Sequence, residues 1–344
     1  MAPIRNGRHL YLELPIGLPV PGKTTAYDNS RTIDLENVTL DGGILIKTLV
    51  FSIDPFIRGR MRAPNVNTHI PALQFGEPLS SYGVGKVLRS ENSIFKPGDH
   101  VYGMIPCEEY IIARDTVRLT MIENKESLPW SVYVGVCGMP GQTAYYGWKE
   151  FSAAKEGEVA YVTAAAGPVG STVVQLAKSD SCKVIASAGS DEKVAFVRSI
   201  GADVAFNYKT GDTNKTLEEE GPVNIYWDSV GGETLETALA NSAVFGRFIE
   251  CGMISQVSSV NTLYPIKNLW QVIAKQLKIT GFICSSLHTK YSAEFYREIP
   301  RRVAEGEIKY LEDREYGLDK VGQALVDVLT GKNNGKKVII VADD

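Results

Sequence analysis

Residues 158–178 read EVAYVTAAAGPVGSTVVQLAK, and this stretch decides the fold. Val159 to Thr163 is an apolar, β-branched run, and Ala164, Ala165, Ala166 and Gly167 are small. Beyond Gly170, Val173, Val174, Leu176 and Ala177 recur at helical spacing. A buried strand, a tight turn and a helix in this order aim backbone N–H groups and the positive end of a helix dipole at a phosphate. Against the G-x-G-x-x-G fingerprint, Ala165 takes the first glycine position while Gly167 and Gly170 fit. Close packing alone also produces such a junction, so the flanking sequence must decide.

The flanking sequence supports a nucleotide site. A second strand, Lys183 to Ala188, follows the helix and completes a βαβ unit. At its tip, where an NAD site offers Asp or Glu to the ribose 2′-hydroxyl, stand Ser187, Ala188, Gly189 and Ser190. Lys193 follows one helical turn later. A small uncharged tip beside an ammonium accommodates a 2′-phosphate, so the expected dinucleotide is NADPH. Asp191 is then a first-turn carboxylate facing the helix dipole and solvent.

The chain has 344 residues, 44% hydrophobic and 22% charged, which fits one large or two medium globular domains. A net charge of −4 offers no attraction to nucleic acid or an anionic membrane. The start, MAPIRNGRHLYLELPIG, has no apolar core of signal-peptide length, and no run approaches a membrane span. Five cysteines, all far apart in sequence, form neither a disulfide framework nor a zinc cluster. A reducing, cytoplasmic setting is expected.

From His9 to about Val117, short runs (Ile44–Ile53, Gly83–Leu88, His100–Met104, Glu109–Ala113) are punctuated by Gly and Pro, the pattern of an irregular antiparallel β domain. Phe95-Lys96-Pro97-Gly98-Asp99 supplies a turn. The character changes near Leu128. Trp130 to Phe151 is expected to be helical, interrupted at Gly138–Gly141. Beyond the βαβ unit come a helix (Asp191–Ile200), a strand (Val204–Phe206), an acidic linker (Asp212–Glu220) and a strand (Val223–Asp228). A helix (Gly232–Ala243), a strand (Gly246–Cys251), a helix (Leu269–Leu277) and a strand (Ile279–Cys284) follow. This alternation argues an α/β fold with a doubly wound parallel sheet. A helix after Tyr291 leads to a last strand, Lys337–Ala342, which is expected to return to the first domain.

Further pieces occur in one order: Ser52 through Met61 (SIDPFIRGRM), Phe95 through Tyr102, Glu108 through Tyr110 and Gly138 through Tyr145 (GMPGQTAY). Ala164 through Gly170, Phe206 through Lys209, Asp228 through Gly232 (DSVGG) and Asn333 through Lys336 (NNGK) complete the series. With these the chain resembles the zinc-independent medium-chain dehydrogenase/reductases, most of all the prostaglandin/leukotriene reductase and NADP-dependent alkenal double-bond reductase branch. The resemblance implies a GroES-like substrate and catalytic domain (1–129 and 312–344) beside a Rossmann NADP-binding domain (130–311), with substrate in the cleft between them. It implies that Gly167, Pro168, Val169 and Gly170 hold the pyrophosphate. Gly189, Ser190, Lys193 and Tyr208 meet the adenosine 2′-phosphate end. Ser229, Cys251, Gly252, Ile254, Ser255 and Val257 line the nicotinamide half, joined by Phe282, Ile283, Cys284 and Asn333. Pro140 and Thr143 also touch the cofactor. A homodimer through an edge strand of the parallel sheet is implied as well.

The implied reaction is reduction of the carbon–carbon double bond of an α,β-unsaturated aldehyde or ketone, with hydride going to the β-carbon. The protein must align the two reactants and offer a hydrogen-bond donor to the oxygen that becomes an enolate. Two positions depart from the family. Phe56 stands where it has a tyrosine in the Asp-Pro-Tyr segment, and Val257 where a tyrosine reaches the carbonyl. Tyr264, Tyr82 or the nicotinamide ribose 2′-hydroxyl alone must then donate. Phe56, Val257 and Tyr264 belong to the expected pocket, whose walls come from Arg62–Pro78 and Val257–Trp270, with Pro64-Asn65-Val66-Asn67 and Leu263-Tyr264-Pro265-Ile266 giving it mixed apolar and aromatic character.

Other chemistries find less support. None of His9, His69, His100 and His288 lies in a Gly-His-Glu setting, so no metal is expected. Glu108 and Glu109 are strand neighbours and point to opposite faces. No G-x-S-x-G elbow occurs. Cys251 and Cys284 fall at strand ends as small core residues or reactive thiols. A quinone reductase on the same scaffold, or an NADPH-binding protein without turnover, are the alternatives.

Overall fold

The computed structural model describes residues 2–66, 68–258 and 263–344. The chain divides into two compact units, 1–135 with 312–344, and 136–311.

The second unit is built on the quoted stretch. Its elements are α1 (Met139–Phe151), β1 (Val159–Val162), α2 (Pro168–Ser179), β2 (Lys183–Ala188), α3 (Asp191–Ser199), β3 (Val204–Asn207), α4 (Thr213–Glu220) and β4 (Val223–Asp228). Then come α5 (Gly232–Ala240), β5 (Ser242–Glu250), α6 (Ile254–Val257), α7 (Gln271–Ala274), β6 (Lys278–Gly281) and α8 (His288–Ala304). The strands lie in the order β3-β2-β1-β4-β5-β6 and every pair is parallel. This is the doubly wound order, with its switch point between β1 and β4. Central strands covered on both faces are apolar throughout, as Val162, Ile185, Tyr161 and Tyr226 are here. On one face Tyr161, Tyr226 and Phe248 pack with Leu217, Leu235 and Leu239.

Three expectations in this unit are corrected. The Gly138–Gly141 stretch does not interrupt a helix. Gly138 is the extended N-cap of α1 and Pro140 sits in its first turn, where a missing N–H costs nothing. The residues before it form a separate 3₁₀ turn, Trp130–Val134. The acidic run 212–220 is a helix, not a linker, because the Asp212 side chain caps it by accepting from the Lys215 N–H and Leu217 buries its inner face. The expected helix 269–277 shrinks to α7, with Trp270 and Ile273 exposed.

The first unit holds a seven-stranded sheet. Its order runs from Glu312–Tyr316 through Lys336–Ile340, Ile44–Ser52, Ser80–Ser90 and His100–Pro106 to Leu119–Met121, with Tyr110–Ala113 also paired to Ile44–Ser52. All pairs are antiparallel except the first, so the C-terminal strands complete this sheet. Its core gathers Tyr11, Ile46, Phe51, Ile57, Leu79 and Ile339. Residues 130–135, expected in the second domain, belong here. Trp130 stacks on His100 at 4.0 Å and its indole N–H donates to Asp344, which ties the 3₁₀ turn to this sheet. No helix among the described residues is long and apolar enough to cross a membrane.

Candidate cofactor and substrate site

The glycine turn lies at the carboxyl end of β1. Gly167 caps α2 in an extended conformation and Pro168 opens it, leaving first-turn N–H groups of α2 without helical partners. Gly170 permits the close approach of helix to strand: a Cβ there would stand 2.6 Å from the Ala164 carbonyl oxygen and 2.7 Å from the Ala165 Cα. The first-glycine position is occupied by a fully buried Ala165, whose N–H donates to the Ser187 carbonyl. The fingerprint thus keeps, at Gly170, the glycine that the packing requires, and carries an alanine at its first position.

The residues expected at the phosphate end lie around the tip of β2. Ser190 caps α3, its hydroxyl accepting from the Lys193 backbone N–H. A Cβ on Gly189 would lie 3.2 Å from the Tyr208 hydroxyl and 3.4 Å from the Lys209 Cε, so Gly189, Ser190, Tyr208 and Lys209 share one corner. Asp191 is exposed and accepts from the Asn207 amide at 2.9 Å, which turns its charge along the helix edge. Lys209 had no role in the sequence reading, although it closes the Phe206–Lys209 run.

The carboxyl ends of β4, β5 and β6 form the other half. Asp228 Oδ1 accepts from the Val230 and Gly231 N–H groups, and the Asp228 carbonyl from those of Cys251 and Gly252. The N–H groups of Ile254 and Ser255 donate to the Ser229 and Val230 carbonyls, which knits the loop after β5 onto the loop after β4. Cys251 and Cys284 lie here, with Ser229 beside the first thiol and Thr143 beside the second, and Pro140 sits one turn before Thr143 in α1. Burial pushes Cys251 up to about 12 and Cys284 to about 11, so both are neutral thiols without nucleophilic character at neutral pH. Ile283 is partly exposed, whereas the Phe282 ring packs inward on Phe151 and Trp227. Phe282 therefore offers a ligand only its backbone. Val257 ends α6. Residues 259–262, in the expected pocket wall, and Asn67, in the other, lie outside the described residues.

A pair missed from sequence lies beneath this half. Asp228 and Glu250 face each other in register on β4 and β5, and neither Asp228 Oδ2 nor either Glu250 oxygen has a hydrogen-bond partner. Burial and the facing Asp228 raise Glu250 to about 8, so one proton is held there.

The expected tyrosine donors differ in setting. Burial and the nearby Glu236 carboxylate raise the Tyr264 hydroxyl, and Lys267 lies 5.7 Å from its ring. In the first unit, Tyr82 stacks on Tyr102 at 5.5 Å and meets the Phe56 edge at 6.1 Å. Also in the first unit, Asn333 donates to the Gly335 carbonyl, and Lys336 crosses to the Ile53 carbonyl and Asp54, tying the Asn333 loop to the Phe56 segment. Among the described residues, no group of three or more His, Cys, Asp or Glu side chains is placed to hold a metal ion.

The parts fit a phosphorylated dinucleotide: a glycine cradle that a Cβ would fill, free N–H groups at a helix start, and an uncharged strand tip beside lysines. Comparison with known proteins agrees. Residues 168–301 match the zinc-binding dehydrogenase family, and residues 29–122 match the N-terminal domain of oxidoreductase family. A zinc-type alcohol dehydrogenase-like protein of Schizosaccharomyces pombe is 39% identical over 97% of both chains. The 2-alkenal reductase (NADP(+)-dependent) of Nicotiana tabacum is 38% identical over 92% of this chain and 95% of its own. The crystal structure of CurA in complex with NADPH from Vibrio vulnificus superposes with a TM-score of 0.89 at 27% identity, covering 98% of this chain and 100% of the other. The chain belongs to the medium-chain dehydrogenase/reductase family, in its zinc-independent branch, and is an NADP-dependent oxidoreductase.

Proposed function

We propose that this protein reduces the carbon–carbon double bond of α,β-unsaturated aldehydes and ketones. The observation that carries this reading is the likeness to the tobacco 2-alkenal reductase along nearly the whole chain. Bound NADPH supplies the hydride. Gly167 and Gly170 with the start of α2 hold its pyrophosphate, and Lys193, Tyr208 and Lys209 hold its 2′-phosphate. Thr143, Ser229, Cys251 and Cys284 shape a neutral bed for the nicotinamide. Neutrality suits this chemistry, because the charge that develops belongs on the substrate oxygen and needs a donor there, not an acid or a nucleophile.

Tyr264, whose backbone N–H donates to Gln256 beside Gly232, serves as a wall. We assign the dimer contact to the open edge at β6, where Ile279 and Ile283 are partly exposed and Trp270 and Ile273 largely so. Sedimentation showing a monomer at micromolar concentration overturns that assignment.

NADPH consumption with an enal, an enone, a saturated ketone and a quinone in parallel tests the activity. Turnover of enal and enone but not of the saturated ketone is expected. Turnover of quinone alone supports a quinone reductase, and consumption with none supports a binding protein.

A further inference from the structure

Beneath the loops assigned to the nicotinamide lies a carboxyl pair with no cation beside it. Asp228 ends β4 and Glu250 ends β5, in register on neighbouring parallel strands, so their side chains leave one sheet face about 4.8 Å apart. Asp228 is fully buried, and its Oδ2 and both Glu250 oxygens are closed to solvent with no hydrogen-bond partner. Two carboxylates do not both stay ionised there, because each charge is desolvated and repels the other. One proton held between them supplies the missing hydrogen bond and leaves a single negative charge.

The neighbouring elements offer no other compensation. Arg247 on β5 is three residues from Glu250, so it faces the other side of the sheet, where it pairs with Glu158. Lys278 on β6 stands in register with Arg247 and shares that far face, while Gly281 is in register with Glu250. α5 turns Leu235, Ala238 and Leu239 inward, with Glu233 exposed and Glu236 accepting from the Lys267 N–H. The Tyr226 hydroxyl, two residues before Asp228 on the same face, stays protonated, since burial and Asp228 hold it well above its usual value. The Cys251 and Cys284 thiols, at about 12 and about 11, are neutral as well.

The pair sits where two loops are tied together. Asp228 Oδ1 accepts from the Val230 and Gly231 N–H groups at 2.8 Å each, and the Asp228 carbonyl accepts from those of Cys251 and Gly252. Cys251 follows Glu250 directly. Gly231 is pressed against the loop after β5, for a Cβ there would stand 2.8 Å from the Met253 Cγ. The Ser255 hydroxyl adds a bond to the Val230 carbonyl at 2.6 Å. A second charge on Glu250 would push against Asp228 at this junction.

We infer that Glu250 is a positioning residue for the cofactor: while it keeps its proton it steadies Asp228, which ties the loops after β4 and β5 into the form that binds NADPH. The inference rests on the reading of these loops as the nicotinamide site. Glu250 gives up its proton at about 8. The protonated pair binds NADPH more tightly, so binding takes up a proton near that pH and affinity falls as pH rises through it. The 2′-phosphate of the cofactor titrates well below this window, at about pH 6.

Fluorescence titration with NADPH between about pH 7 and about pH 9.5 tests this. The wild-type Kd rises about fivefold or more across that range, and calorimetry in buffers of different ionisation enthalpy shows proton uptake on binding. In Glu250→Gln, which keeps a neutral donor facing Asp228, the ratio of the two Kd values is close to one and the uptake disappears. In Asp228→Asn, whose amide oxygen still accepts from the loop N–H groups, the repulsion is gone and the rise moves to lower pH. A second measurement needs no cofactor: the Val230 and Gly231 amide resonances of the free protein titrate near the same pH in wild type and stay fixed in Glu250→Gln. A wild-type Kd independent of pH overturns the proposal, as does a slope that survives in Glu250→Gln or a set of amide resonances that does not titrate. Absence of NADPH binding at every pH removes the cofactor reading instead, and the amide resonances then decide for or against the pair as the tie between the two loops.

Discussion

The Lys336 ammonium lies 2.9 Å from Asp54 Oδ1, with both side chains buried in the sheet unit. Lys336 also donates to the Ile53 carbonyl at 2.6 Å, and Asp54 receives the Ser52 hydroxyl. The pair fastens the segment leading to Phe56 onto the strand that follows Asn333. Removing one partner leaves the other charge buried and unpaired, at a cost of about 3–5 kcal/mol. Lys336→Met should therefore move the urea midpoint sharply down, and Asp54→Ala added to it should recover part of the loss. A midpoint within error of wild type for the single variant contradicts this account of the pair.

Gly170 is required by contact distance. An added methyl would meet the Ala164 oxygen at 2.6 Å, in rigid backbone on both sides. Gly170→Ala should push α2 off β1, with a stability loss of about 1–3 kcal/mol. NADPH affinity, measured by fluorescence, should fall further than the affinity for a bare nicotinamide mononucleotide, which does not reach the turn.

The corner at Gly189 should recognise phosphate and nothing else. Lys193→Ala and Lys209→Ala are each expected to weaken NADPH about tenfold, since a charge-assisted contact contributes roughly 1.5 kcal/mol. NADH affinity should not move. Equal losses for both coenzymes would place these lysines elsewhere.

Glu250 makes a pH prediction with a definite sign. Its folded value, about 8, lies above the unfolded carboxyl range, so the native state holds a proton that the unfolded chain releases. Stability from this group is full below the ordinary carboxyl range, is lost steadily as pH rises from there to about 8, and stops changing above that. Glu250→Gln keeps a neutral side chain there. It should match wild type in urea at pH 4 and exceed it at pH 8.

Much of the second unit was legible because periodicity and burial agree. Lys183–Ala188 and Val223–Asp228 are the strands that their apolar runs predict. Composition misled where one residue decides. The charge of 212–220 hides a helix held by the single buried Leu217, and the apolar look of 269–277 hides side chains that face outward. In the site, the glycine turn and the uncharged β2 tip carry local signals. Lys336 does not, since a cation is expected at the surface and only tertiary packing reveals it buried. The Asp228–Glu250 pair depends on strand register, which no local pattern encodes.

The central claim is that hydride reaches carbon β to a carbonyl. The most direct measurement is the product of one simple enone incubated with NADPH deuterated at the transferring position, analysed by mass spectrometry and NMR. The account predicts a saturated ketone with deuterium on the β-carbon. An allylic alcohol with deuterium on the carbinol carbon would contradict it.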